Sequence, residues 1–148
     1  MLKFDPTEST GFLVARVAHQ LQQKVQEFLD EAGIEITAQE ITILTVVAHL
    51  QKPEQMKRLA EKCGRDATTV SRQIGALEKA GLVKRSRSPD DGRFHVVSIT
   101  NKGKRLVERT IPLTLDLRKR AMSGISAADA TALSQNLIQI LDNLGNEK

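Results

Sequence analysis

Polar side chains able to recognise nucleic acid cluster near the middle of the chain, at Thr68, Thr69, Ser71, Arg72 and Gln73. Hydroxyl, amide and guanidinium groups hydrogen-bond both to base edges and to phosphate oxygens. Val70, Ile74 and Leu77 recur in the same stretch at steps of four and three, the spacing of one buried helix face. We therefore expect the five polar residues to project from that helix and to contact duplex DNA.

A basic hairpin is predicted after this helix. Residues 82–87 and 94–100 are short and rich in β-forming residues, and they flank Ser88-Pro-Asp-Asp-Gly92, a sequence typical of a hairpin turn. Such a ribbon beside a DNA-contacting helix is called a wing, and an arginine at its tip suits the minor groove of A·T tracts, where negative potential is concentrated. We expect Asp91 to orient Arg93 or Arg85. The candidate DNA-binding residues of the wing are Arg85, Arg87, Asp91 and Arg93.

Short helices must position these side chains. Thr37-Ala-Gln-Glu40 has the pattern of a capping box that begins one helix. A shorter helix is expected over about 54–62, with Gly64 in the left-handed conformation that closes a C-terminus, and Asp66 is a good N-cap for a helix over 67–80. Two helices joined by a turn of about four residues that contains a glycine form the helix-turn-helix connection. We predict a winged helix-turn-helix lobe over about 37–100.

Two amphipathic segments, at about 8–32 and 101–146, flank the lobe. Their apolar residues alternate at steps of three and four, the rhythm of helices that pack on other helices. Pro112 is expected to kink or split the second segment. The two stripes could pack on each other within one protomer, but two long amphipathic ends with no other core to cover favour exchange between chains. The predicted dimerisation residues are Val14, Ala18, Leu21, Val25, Leu133, Leu137, Ile140 and Leu144.

Length and composition predict one folded domain over residues 1–148, mainly α with a small β-hairpin wing. The chain is 40% hydrophobic and 27% charged, which excludes a mostly disordered protein. Between Arg65 and Arg105 ten Lys or Arg stand against four acids, a net +6, so the remainder carries −2. A basic middle on a near-neutral scaffold suits a module that binds polyanions, although a solvated basic face is the simpler interpretation.

Several other classes of protein are disfavoured. No apolar run reaches the roughly 20 residues of a membrane helix and residues 1–10 do not resemble a signal peptide, so we expect a cytoplasmic protein with no membrane partner. Cys63 stands alone, and His19, His49 and His95 are too scattered for a metal site, so we expect no metal and no cofactor. No phosphate-binding loop or activated nucleophile indicates an enzyme. The lack of Trp and Tyr argues against base stacking on single strands or RNA.

Three parts of the sequence occur in a recognisable order: Leu59-Ala60, the run from Asp66 to Val83, and the run from Asp91 to Thr100. Together they resemble the multiple-antibiotic-resistance regulator (MarR) family, most specifically over residues 59–103. The resemblance implies an obligate homodimer whose terminal helices interlock while two winged lobes read a pseudo-palindromic operator. Many members release DNA when a small, often aromatic, ligand or an oxidant acts on them. The expected function is therefore a transcriptional repressor relieved by a small molecule, whose site no motif marks.

One alternative is a winged-helix adaptor that binds another protein and no nucleic acid. The wing of such an adaptor should be apolar or acidic. Arg85, Arg87 and Arg93 make this wing basic, so the sequence favours DNA as the partner.

Overall fold

The computed structural model describes residues 5–145, in which six α-helices and a small antiparallel sheet follow a short 3-10 turn. The fold class predicted from the sequence is confirmed. The predicted domain limits at 1 and 148 and the predicted helix end at 146 lie outside the described residues. The elements are α1 (Thr10–Glu31), α2 (Ala38–Ala48), β1 (Glu54–Gln55), α3 (Met56–Cys63), α4 (Ala67–Lys79), β2 (Val83–Arg87), β3 (His95–Ile99), α5 (Asn101–Ala121) and α6 (Ala127–Gly145).

The helix boundaries in the lobe follow the predicted capping residues. The Glu40 N–H donates to the Thr37 hydroxyl over 3.1 Å, and the Thr37 N–H donates to the Glu40 carboxylate over 2.9 Å, so the capping box of α2 is complete. Gly64 adopts a φ of 62° at the end of α3. The Asp66 carboxylate accepts from the Thr69 N–H over 2.8 Å and begins α4. These side chains satisfy backbone groups that a helix end leaves unpaired.

The segment before α3 corrects one prediction. Glu54 and Gln55 were expected to begin the helix, but they form β1, which pairs antiparallel with Val97 and Val96 of β3. The strand order is β1-β3-β2, so β3 is central and has hydrogen-bonding partners on both sides. Pairing with the distant β3 satisfies backbone hydrogen-bonding groups of Glu54 and Gln55, so tertiary structure decides the conformation of this segment.

The core of the lobe lies between α2, α3, α4 and the sheet. Val70, Ile74 and Leu77 of α4 are fully buried, as their spacing predicted. Gly103, near the start of α5, approaches the Leu82 carbonyl too closely for a side chain to fit. Other fully buried core residues are Leu29, Ile43, Leu44, Val47, Leu59, Val83 and Val97. This packing fixes α4 by its apolar face and leaves the opposite face exposed.

The chain divides into two compact units, one ending at Ile111 and one beginning at Pro112. Of the two outcomes expected at Pro112, a kink or a split, the split does not occur, because α5 runs through the proline without interruption. In the turn before the proline, the Thr110 hydroxyl donates to the Val107 carbonyl over 2.8 Å. The loss of one backbone donor is thus tolerated within a helix of 21 residues.

Candidate nucleic-acid interface

The exposed face of α4 begins at its capped N-terminus. Thr68 and Arg72 are exposed, whereas Thr69 and Ser71 are half-buried. The Thr69 hydroxyl donates to the Asp66 carboxylate over 2.6 Å, and this bond and that from the Thr69 backbone N–H hold the pKa of Asp66 below its usual value. Asp66 is therefore ionised at neutral pH and keeps the first turn of α4 ordered. Arg72 supplies the positive charge of this face.

Gln73, one of the five expected DNA contacts on this helix, lies on the side of α4 that faces α2. Its side chain is only 6% exposed, and its Nε2 donates over 2.9 Å to Oε1 of Gln39 in α2. Oε1 of Gln73 is buried and has no hydrogen-bond partner among the described residues. The amide thus belongs to the contact between α4 and α2, and it is not presented to solvent.

We predict that Gln73→Leu changes the free energy of unfolding by no more than about 1 kcal/mol, because the lost hydrogen bond is offset by removing a buried unpaired oxygen. Sequence preference on DNA should be unchanged. Urea denaturation and binding titrations measure these two quantities, with Arg72→Ala as the matched control on the exposed face. A variant of normal stability that loses discrimination at one base pair would show that Gln73 does reach DNA.

The wing tip carries an arginine that is both exposed and held in place. The Arg93 side chain is 85% exposed, and its Nη2 lies 2.8 Å from Oδ2 of Asp91 while its Nε donates to Oδ1 over 3.1 Å. The two residues thus form a fork-to-fork pair. Hydrogen bonds from the Arg93 side chain, and then from its backbone, lower the pKa of Asp91. Of the two partners that the sequence allowed for Asp91, the structure selects Arg93.

The loop behind the tip is ordered by Ser88, which sequence reasoning did not single out, and by Arg87, which it assigned to DNA binding. Ser88 is buried, its N–H donates to the Phe94 carbonyl over 2.8 Å, and its hydroxyl accepts from the backbone of Asp90 over 3.3 Å. Arg87, which is exposed, donates from Nη1 to the Gly92 carbonyl over 3.0 Å. The loop therefore presents Arg93 from a pre-formed turn.

Arg85 differs from the other two arginines of the wing. Its side chain is 31% exposed, and Nη2 donates to the Ser71 carbonyl in α4 over 3.0 Å. Nε lies 3.6 Å from a carboxylate oxygen of Glu78, which is an ion-pair distance but too long for a hydrogen bond. Arg85 was expected to contact DNA, and the structure places its guanidinium against α4.

Apolar stripes are exposed on both terminal helices. On α1, Val14, Ala18 and Leu21 are exposed, whereas Val25 packs on the core of the lobe. The stripes are wider than the sequence predicted. The first also includes Phe12, Leu13 and Val17. The second consists of Leu133, Leu137, Ile138, Ile140, Leu141 and Leu144, of which only Leu137 is half-buried.

Along the described chain no helix is long and apolar enough to cross a membrane.

Comparison with known proteins identifies the family. The sequence profile of the MarR family matches residues 36–95, which include the whole of α4 and the wing tip. The uncharacterised HTH-type transcriptional regulator YdcH of Bacillus subtilis is 31% identical over 112 residues, which are 73% of this chain and 74% of YdcH. The chain belongs to the MarR family. It is thus a MarR-family transcriptional regulator.

Solved structures of similar fold extend over nearly the whole MarR-family chain. The MepR–DNA complex of Staphylococcus aureus is 24% identical, covers 91% of this chain and 98% of MepR, and has a TM-score of 0.80. BpsR of Bordetella bronchiseptica, whose DNA binding is regulated by 6-hydroxynicotinic acid, is 20% identical, covers 99% of this chain and 100% of BpsR, and has a TM-score of 0.79. At these identities the likeness establishes the fold.

An open groove of about 320 Å³ lies between α1 and the start of α2 in this MarR-family chain. Within the groove Gln26 of α1 contacts the start of α2, because its Oε1 accepts a hydrogen bond from the Ala38 N–H over 2.8 Å. Residues 5–145 contain no group of three His, Cys, Asp or Glu that could hold a metal. Most of the side chains that line the groove are polar, and the lining consists of His19, Gln22, Gln23, Gln26, Thr37, Ala38 and Gln39.

Cys63 is the one cysteine of the sequence and lies half-buried at the end of α3. Burial raises the pKa of its thiol, and the nearby charge of Arg65 opposes this only in part. Because the thiolate is the form that oxidants attack, Cys63 should react slowly. We predict that Cys63→Ser binds DNA like the parent with and without peroxide, as measured by titration. A peroxide response in the parent that disappears in Cys63→Ser would instead identify a redox sensor.

Proposed function

We propose that the protein is a sequence-specific double-stranded DNA-binding repressor that acts as a homodimer and is relieved by a small-molecule ligand. The observation that carries the proposal is the pairing of two basic elements on one lobe. The capped helix α4 exposes Arg72, and the pre-formed wing presents Arg93.

Each element suits one groove of B-DNA. An α-helix fits the major groove, where Thr68 and Arg72 can reach base edges or phosphates, and arginine pairs bidentately with guanine. The wing tip suits the minor groove, where the planar, weakly hydrated guanidinium of Arg93 is attracted by narrow A·T tracts. Asp91 reduces the freedom of that guanidinium before DNA arrives, and preorganisation of this kind lowers the entropy cost of binding.

A second copy of the chain is the proposed occupant of the apolar stripes. Leu133, Ile140 and Leu144 are each at least 40% exposed in the single chain, and steps of seven and four residues place them on one face of α6. Solvent-exposed apolar stripes of this length are typical of helices that pack across a subunit interface. A homodimer would place two α4 helices about one turn of DNA apart, so the operator should be an imperfect inverted repeat.

The groove between α1 and α2 is the proposed effector site. It offers amide, imidazole and hydroxyl groups to a ligand with hydrogen-bonding substituents. One of its residues, Gln39, accepts the hydrogen bond from Gln73 of α4, so an occupant of the groove touches a residue that packs directly against the DNA-reading helix. The regulation of BpsR by 6-hydroxynicotinic acid supports a small ring compound with hydrogen-bonding substituents as the proposed ligand.

Selection from a library of random duplex DNA tests the proposal. We expect enrichment of an imperfect inverted repeat with half-sites about one helical turn apart. Recovery of no sequence above background, together with retention of a protein partner, would favour the adaptor function. Titration of small ring compounds into the complex with the selected duplex then tests whether a ligand releases DNA. A compound that occupies the groove and leaves DNA affinity unchanged would contradict the proposed effector site.

A further inference from the structure

One side chain of the wing lies along two turns of the DNA-reading helix. Arg85 is at the middle of β2, opposite Val97. Its backbone N–H donates to Oε1 of Glu78 over 3.1 Å, and its Nη2 donates to the Ser71 carbonyl over 3.0 Å. Strand and helix are therefore joined at two points by a single residue.

The face of α4 under this guanidinium is shaped to receive it. Ser71, Gly75 and Glu78 follow one another at steps of four and three, so they form one stripe along the helix. A Cβ atom at Gly75 would lie 3.6 Å from Nη2 of Arg85, so the guanidinium rests directly over the glycine. The planar group thus fits between a carbonyl at one end and a carboxylate at the other.

We propose that Arg85 is a positioning residue that fixes the wing relative to α4 and does not itself contact DNA. This inference rests on the proposed function of the lobe. A reader of two adjacent grooves gains affinity from its second contact only if the two elements are held at the spacing of the grooves. Arg85 supplies that constraint, so its loss should reduce what Arg93 contributes to binding.

A double-mutant cycle on the selected duplex tests the proposal. Arg85→Ala should weaken binding about tenfold, and Arg93→Ala should then cost at least about threefold less than it does in the parent. The salt dependence of the double variant Arg85→Ala, Arg93→Ala should match that of Arg93→Ala alone, because Arg85 itself makes no phosphate contact. Arg85→Lys should not restore affinity, since lysine keeps the charge but cannot span both partners. Ser86→Ala is the matched control at the neighbouring, exposed position of β2 and should bind like the parent.

Amide hydrogen exchange without DNA provides a readout that does not depend on the operator. Arg85→Ala should exchange faster than the parent at residues 83–99, while the rest of the lobe keeps its protection. The proposal would be overturned if Arg85→Ala and Arg93→Ala had independent effects, if amide exchange were unchanged, and if the salt slope of the double variant were lower by about one than that of Arg93→Ala. Arg85 would then be a phosphate contact. If the parent binds no duplex, the proposed function fails. The exchange of Arg85→Ala at residues 83–99 still decides whether Arg85 holds the wing: faster exchange supports this role, and unchanged exchange contradicts it.

Discussion

A chain that ends at Ser126 should neither dimerise nor bind its operator specifically. The truncation removes α6 and with it Leu133, Leu137 and Ile140, while the apolar stripe of α1 stays exposed. An uncovered stripe of this size favours non-specific association, so aggregated or unfolded material is expected. Sedimentation velocity and circular dichroism measure the two outcomes. A well-folded monomer that still binds DNA specifically would contradict the homodimer.

A variant with two substitutions in α6 distinguishes loss of the dimer from general unfolding. Leu133→Glu combined with Ile140→Glu places two carboxylates on the stripe of α6, and burying them against a partner is strongly unfavourable. We expect a folded monomer with much weaker operator binding, because each half-site is then read alone. Gln135→Glu adds a charge to the same helix outside the stripe and should remain dimeric. Dimers of unchanged stability in the double variant would place the interface elsewhere.

After loss of the dimer, loss of Arg93 should reduce DNA affinity most. Its dependence on DNA sequence should differ from that of Arg72 loss. Arg93→Ala should weaken binding most where the flanking sequence is A·T-rich. Arg93→Lys should behave similarly if the shape of the guanidinium matters, and like the parent if only charge matters. Arg72→Ala should cost roughly 1–3 kcal/mol on the cognate site and relax the preference at one base pair.

Asp91→Asn tests the role of the partner carboxylate. The variant keeps Arg93 but weakens the fork that orients it, so a smaller loss than that of Arg93→Ala is expected. Because the pKa of Asp91 is lowered in the folded protein, the pair is present at neutral pH and is lost only as the pH falls through that lowered value. Anisotropy titrations over a salt series, with A·T-rich and G·C-rich flanks, measure these effects. Equal affinity of parent and Arg93→Ala on both flanks, with an unchanged salt slope, would remove the wing from the interface.

The parts of the lobe set by local physics were predictable. The capping residues Thr37 and Asp66 and the left-handed Gly64 determine where helices begin and end, and each acts through its own backbone or near neighbours. The buried stripe of α4 followed from the helical period alone. The strand β1 was not predictable, because two residues carry no periodicity and they pair only where β3 offers an edge.

The sequence analysis chose Gln73 and Arg85 by their side-chain chemistry, although their positions in the helix and the strand already predicted that they face the interior of the lobe. Gln73 lies three residues after Val70 and four before Leu77, so the helical period already places it on the buried face. Arg85 lies two residues after the buried Val83, so strand alternation turns it towards the helix. In both cases the polar end of the side chain hydrogen-bonds to another residue of the lobe. The residue type alone does not predict such a partner.

Hydroxyl-radical footprinting on the selected operator decides whether a dimer reads DNA with α4 and the wing together. We expect two symmetric protected regions about one helical turn apart, each with a flanking minor-groove protection. In Arg93→Ala the flanking protection should disappear while protection of the half-site remains. Protection of one asymmetric half-site by a single protomer, or flanks that are indifferent to Arg93, would contradict this mode of binding.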